Sequence, residues 1–213
     1  MTCSYPNSNT STSSSMVHPI PESMPKIGDS VSARWKITNL LGQGGFGCVY
    51  EAWDLIKKEH VALKMEKPNL RKPTLKMETL VLCRLQGRSN HAVKFFKCGK
   101  FEKKNFLVMG LVDKTVSYYR RALQKFTLGT ACRLAVQMIE SIRDMHNVGF
   151  IHRDIKPSNF AFGFPPLSHR LYIIDFGLAR QYCNMEGGHR PARNVTGFCG
   201  TFKYCSINCL RFE

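Results

Sequence analysis

The sequence changes its hydrophobic period part-way along, and that change limits the fold more than any other feature. From residue 34 to residue 112, apolar residues come in short runs broken by turn residues; from 115 to 147 they recur at helical spacing. Residues 34–41, 48–53, 60–66, 93–97 and 105–112 read as strands, and 74–86, 115–125 and 128–147 as helices. On the last helix Leu134, Met138, Ile142 and Met145 share one face and are assigned to the core. Loops and short strands follow to Arg180, then a loop rich in Gly and Arg to the end. This order implies an α+β fold of two lobes with a cleft between them. Residues 30–112 would form a β-rich lobe with one main helix, and 113–213 a mainly helical one. At 213 residues and 43% hydrophobic, the chain can build a sizeable core. Residues 1–29, rich in Ser, Thr, Asn and Pro, bury little and are expected to be a disordered tail.

Within the β-rich part, Gly42-x-Gly44-x-x-Gly47 is either a loose hairpin turn or a backbone that approaches phosphate groups where Cβ atoms would obstruct. Strands on both sides argue against a dinucleotide fold, which needs a strand before the glycines and a helix after them. Strand alternation puts Ala62 and Lys64 on one face and Val61, Leu63 and Met65 on the other. Glu78 is the telling residue of the helix that follows. At 100° per residue, Leu75, Val81, Leu82 and Leu85 all lie within about 60° of it. A carboxylate at the centre of an apolar stripe is costly unless paired, and Lys64 is its natural partner.

Two further motifs lie beyond residue 150: Ile151-His152-Arg153-Asp154-Ile155-Lys156-Pro157-Ser158-Asn159, and Asp175-Phe176-Gly177 after an apolar strand. Asn159 and Asp175 offer the hard oxygen ligands that Mg²⁺ prefers. All four features, in this order, resemble the protein kinases, and the resemblance covers roughly residues 35 to 210. It implies transfer of the ATP γ-phosphoryl group to a hydroxyl. Asp154 would accept or orient the hydroxyl proton, Lys156 would neutralise the transferring group, and Asn159 and Asp175 would hold Mg²⁺. Lys64, paired with Glu78, would reach the phosphates under Gly42, Gly44 and Gly47. The adenine would lie between Leu41, Val49 and Ala62 above and Ala161 and Ile174 below. Met109 would be the gatekeeper, with residues 110–112, ending at Val112, as the hinge.

Lys156 within Lys-Pro-Ser-Asn resembles serine/threonine kinases. The finer resemblance is to the casein kinase 1 superfamily and its tau-tubulin kinase-like branch. It rests on Gly44-Gly45-Phe46-Gly47, Leu75-Lys76-Met77-Glu78, Asn159-Phe160-Ala161, residues 175–180, and residues 200–208 with Ser206-Ile207-Asn208 in place of Ala-Pro-Glu. Thr201 matches the threonine that braces the Asp and the Lys. Two departures stand out. The stretch 112–115 lacks a glycine usual after the hinge, and Lys203 stands where an Arg is usual in an anion site. The family's later C-lobe helices are not in the sequence, so the chain is expected to be an incomplete kinase domain with apolar faces of residues 128–147 and of the Asp154 loop exposed. The alternative reading is a truncated, catalytically weak or inactive nucleotide-binding or scaffold product of a kinase gene.

The formal charge of +16 favours polyanionic partners. The basic residues are scattered and no nucleic-acid motif accompanies them, so the charge is read as a modifier of substrate choice, through Arg190, Arg193 and Lys203, toward acidic or phosphorylated protein substrates. Nucleic-acid and membrane partners are not expected. Nine cysteines without a C-x-x-C pair read as reduced thiols, and no apolar leader precedes residue 30. The expectation is a monomer in the cytoplasm, with the nucleus as the alternative.

Overall fold

A computed structural model describes residues 23–70, 72–183, 188–191 and 197–211. The first 22 residues of the expected tail, together with Arg71, Arg193 and Glu213, lie outside the described residues. The β-rich part is an antiparallel sheet of β1 (Ser30–Val31), β2 (Trp35–Gln43), β3 (Gly47–Asp54), β4 (Glu59–Glu66), β5 (Phe95–Phe101) and β6 (Lys104–Gly110). Its spatial order is β1-β2-β3-β4-β6-β5. Register shifts between Ile37 and Asn39 and between Leu40 and Gly42 curl β2 over β3. Helix α1 (Leu75–Leu85) is inserted between β4 and β5.

Alternation divides the sheet as the sequence implies. Val61, Leu63 and Met65 join Trp35, Ile37, Tyr50 and Phe106 in one core. Leu107, on the opposite face, joins Leu75, Val81, Leu82 and Leu85 of α1 in a second core. That second core continues into the other half of the chain, through Met145, Phe150, Phe160, Leu171, Ile173 and Phe176. Helix α1 is therefore packed against both halves.

The other half holds α2 (Val116–Leu123), α3 (Leu128–Asn147), and two short ladders. Strand β7 (Phe150–Ile151) pairs with β10 (Arg180–Gln181), and β8 (Phe160–Phe162) pairs with β9 (Leu171–Ile173). Thr115 and Thr127 cap α2 and α3, their hydroxyls accepting from the N–H of Tyr118 and Thr130. Leu134 and Met145 are buried, and Met138 and Ile142 pack against them. The opposite face of α3 is open, with Leu128, Val136 and Ile139 at 82%, 55% and 67% exposure. Ile155 in the Asp154 loop is also exposed. Among the described residues no helix is long and apolar enough to cross a membrane.

The structure departs from the sequence reading in three places. The strand read at 93–97 runs over Phe95–Phe101 instead. It ends at a two-residue turn, Glu102-Lys103, in which both residues have positive φ (46° and 66°) without the Gly or Asn that marks such turns. The final loop contains a short helix, α4 (Ile207–Leu210), capped by the Ser206 hydroxyl. Residues 23–29, read as tail, are part of the folded lobe: Met24 is buried in the first core, and the Gly28 amide donates to Ile37 O at 2.9 Å.

At the end of β3, Asp54 is fully buried yet saturated with donors. It accepts from the Arg34 guanidinium (Nη2 to Oδ2, 2.8 Å), the Trp35 indole N–H, and the amides of Ile56 and Lys57. The Arg34 bond outweighs burial and holds the carboxyl below its ordinary range. A depressed folded pKa means that this contribution is complete at neutral pH and is lost as pH falls below the ordinary carboxylate value. Asp54→Ala is expected to cost about 3 kcal/mol in urea unfolding at pH 7. The difference from wild type should shrink toward pH 3.

Candidate active site

Lys64 lies on β4 and Glu78 on α1, and the second core presses the two elements together. Glu78 is 1% exposed, and Lys64 Nζ donates to its Oε2 at 2.6 Å. The same ammonium donates to Asp175 Oδ1 at 2.9 Å. Burial acts to lower Lys64, but the two carboxylates outweigh it and hold the ammonium above its ordinary pKa. Burial pushes the Glu78 carboxyl up, against the pull of Lys64. Asp175 is half exposed. Burial raises its pKa, and Lys64 more than reverses that and holds it low.

Asp154 is the centre of a second cluster. Its Oδ2 meets Lys156 Nζ at 2.7 Å, and its Oδ1 accepts from the Thr201 hydroxyl at 2.7 Å. Thr201 Oγ1 also accepts from Lys156 Nζ at 2.9 Å, so the three residues form a closed ring. Asn159 Nδ2 donates to the Asp154 carbonyl oxygen at 2.8 Å. Burial raises the Asp154 carboxyl, while Lys156, Thr201 and Asn159 together hold it low.

The backbone around these groups is held in uncommon conformations. Arg153 and Asp175 are left-handed, with φ of 67° and 65°. Arg153 is anchored by its Nε donating to Leu178 O at 2.7 Å. Gly200, at φ 118°, lies so close to Arg153 O that a Cβ would meet it at 2.7 Å. No other residue fits there. His152 is buried and its pKa is lowered by burial. Its Nδ1 accepts from the Asp154 amide at 3.3 Å, so the proton sits on Nε2, which donates to Ile174 O at 3.2 Å. The neutral ring thus joins the Asp154 loop to the strand before Asp175. The Ile174 amide, donating to Asn159 O at 2.9 Å, makes a second link.

The glycines divide by role. A Cβ on Gly47 would collide with Met65 O, so Gly47 is required by the pairing of β3 with β4. Gly42 and Gly44 have open space around the position of a Cβ. Leu41 and Val49 lie on β2 and β3, and Ala62 pairs with Met109 across β4 and β6. Ala161 is fully buried opposite Tyr172, and Val112 and Ile174 pack against the second core.

The protein kinase domain model matches residues 35–211. The chain belongs to the protein kinase domain family. A Dictyostelium discoideum protein named as a probable serine/threonine-protein kinase is 41% identical over 184 residues, covering 85% of this chain and 37% of that protein. A Caenorhabditis elegans protein whose name places it with casein kinase I is 34% identical over 181 residues, 82% of this chain and 52% of that one. The chain thus spans about a third to a half of these relatives.

In this kinase domain the missing glycine after residue 112 has a simple explanation. No residue from 111 to 115 has positive φ. The segment instead runs extended, with the Asp113 amide donating to Phe162 O at 2.8 Å and the Phe162 amide to Lys114 O at 3.1 Å. Lys203 is stacked toward the Tyr204 ring, and Arg190 donates to Gln181 Oε1 at 2.9 Å. Arg153, Arg180 and Arg190 line a cavity of about 550 Å³ with Asp154, Thr201 and Cys205.

Two residues of the kinase site were missed in the sequence. His152 was read only as part of a motif, and Glu66 not at all. Glu66 shares its strand face with Ala62 and Lys64, and that alternation was its available signal. Since the Thr201 hydroxyl helps hold Asp154 low, Thr201→Val should raise the Asp154 pKa toward its ordinary value. A carboxyl-carbon NMR titration of wild type against variant reads the shift, and an unchanged value would contradict this geometry.

Proposed function

We propose that this chain is the catalytic domain of an ATP-dependent serine/threonine protein kinase, in the tau-tubulin kinase-like branch of the casein kinase 1 superfamily. The closed ring of Asp154, Lys156 and Thr201, joined to Asn159, carries this reading. It holds an ionised carboxylate and a cation side by side at one point. Family membership supports the use of ATP and a divalent metal, and the motif residues 44–47, 75–78, 159–161 and 200–208 support the branch.

A substrate hydroxyl oxygen attacks the γ-phosphorus as the bond to the ADP oxygen breaks. Asp154, ionised at neutral pH, orients that hydroxyl and receives its proton. Lys156 offsets charge on the transferring group, and Lys64, held by Glu78, orients the phosphates. Asn159 uses its NH₂ on Asp154, which leaves its carbonyl oxygen for a cation, and half-exposed Asp175 offers a carboxylate. These hard oxygen donors fit Mg²⁺, which would supply charge neutralisation of the phosphates. On this reading Asp154→Ala abolishes transfer and leaves ATP affinity within about threefold of wild type. Transfer persisting in that variant would overturn the assignment.

The proposed substrates are proteins with Ser or Thr acceptors near acidic or phosphorylated residues. Arg190 and Lys203, in the segment that ends at α4, support that preference; Arg193 lies outside the described residues. Matched peptides with and without an acidic flank should differ by about tenfold in kcat/KM, an effect of one well-placed charge pair. Lys203→Ala should narrow the gap, and equal rates in the wild type would remove the preference.

A further inference from the structure

Glu66 lies two residues beyond Lys64 on β4 and is 4% exposed. Its Oε1 accepts from the amides of Thr74 and Leu75, at 2.6 and 2.7 Å. Its Oε2 accepts from Asn105 Nδ2 at 2.8 Å, on neighbouring β6. The Thr74 side chain makes no capping bond, so a carboxylate from the sheet satisfies the first amides of α1. A negative group at that end also complements the helix dipole.

We infer that Glu66 is a positioning residue, which fixes α1 to the strand that bears Lys64 so that Glu78 stands under the lysine. Two attachments join strand and helix. Lys64 grips Glu78, and Glu66 grips the backbone at Thr74 and Leu75. The attachment points lie roughly 6.6 Å apart along the strand and about 4.5 Å apart along the helix. A helix held at one point can pivot about it. Held at two, it has its rotation and its axial position set together. The same end of α1 abuts the loop after Asp175, where a Cβ on Gly177 would stand 3.4 Å from the Thr74 side chain. Glu66 therefore places the helix that carries Glu78 beside the loop that follows Asp175, the two partners of Lys64. Asn105 keeps the carboxylate aimed, since its amide holds the oxygen that the helix does not use.

The activity readout rests on the kinase reading; the labelling readout does not. The full-length protein, with Glu66→Ala, Glu66→Gln and Glu66→Ala/Thr74→Asp, gives three measurements: thermal midpoint, acetic anhydride labelling of Lys64, and kcat/KM for ATP. Glu66→Ala should raise Lys64 labelling several-fold and lower kcat/KM at least tenfold. Glu66→Gln, which keeps an oxygen for the two amides, should stay within about threefold of wild type on both. Thr74→Asp supplies a local cap, so the double variant should regain the thermal midpoint but neither the labelling protection nor kcat/KM. Recovery of all three would make Glu66 a simple helix cap and overturn the inference. So would unchanged Lys64 labelling in Glu66→Ala. If the wild type turns over no ATP, the kinase reading fails, and labelling alone decides the role of Glu66.

Discussion

The buried pair between Lys64 and Glu78 is the constraint on which the rest of the structure depends. Glu78 sits in the middle of an apolar face and has almost no access to water. Removing Lys64 would leave the Glu78 charge buried and uncompensated, a cost of about 3–5 kcal/mol, whereas removing Glu78 would leave the lysine paired with Asp175 alone. The pair forms only when β4 and α1 approach at one rotation of the helix. Leu75, Val81, Leu82 and Leu85 make that approach by burying their stripe against Leu107 and Val93 on one side and Phe176 and Ile173 on the other. Apolar burial supplies the drive, and the ion pair selects the orientation.

Because the second core spans both halves of the chain, α1 also governs how they meet. Lys64 extends across that junction to Asp175. On the far side, the Asp154 loop and the Asp175 loop are joined through the β8–β9 ladder, the His152 ring and the Ile174 amide. Left-handed Arg153 and Asp175 would be unfavourable in isolation. Each is held by neighbours that leave it no alternative: Arg153 by the Leu178 carbonyl and by Gly200 packed on its own, Asp175 by the lysine at its carboxylate.

How far the sequence was readable follows from the range of each interaction. Strand alternation in 60–66, the helices at 74–86 and 128–147, and the buried Glu78 are matters of local period, and all appear where the sequence places them. The β5 strand was displaced because its turn uses Glu102 and Lys103, residues with no propensity that marks a turn. The extent of the folded lobe was misread because Met24 sits in a polar, Pro-containing stretch, and only the core it shares with Trp35 and Val31 gives it a place.

The sequence by itself determined the two-lobed α+β plan, the apolar stripe that forces Glu78 to find a cation, and the order of the motif residues. These depend on period and on spacing within a few residues. Only the tertiary structure decided that Glu66 holds the start of α1 and that Asp54 gathers its donors from Arg34, Trp35 and the turn after β3. Each of these joins a polar side chain to a donor distant in sequence or on the backbone. A hydrogen bond leaves no periodic trace in the chain, and its partner is settled only when packing brings the groups within about 3 Å.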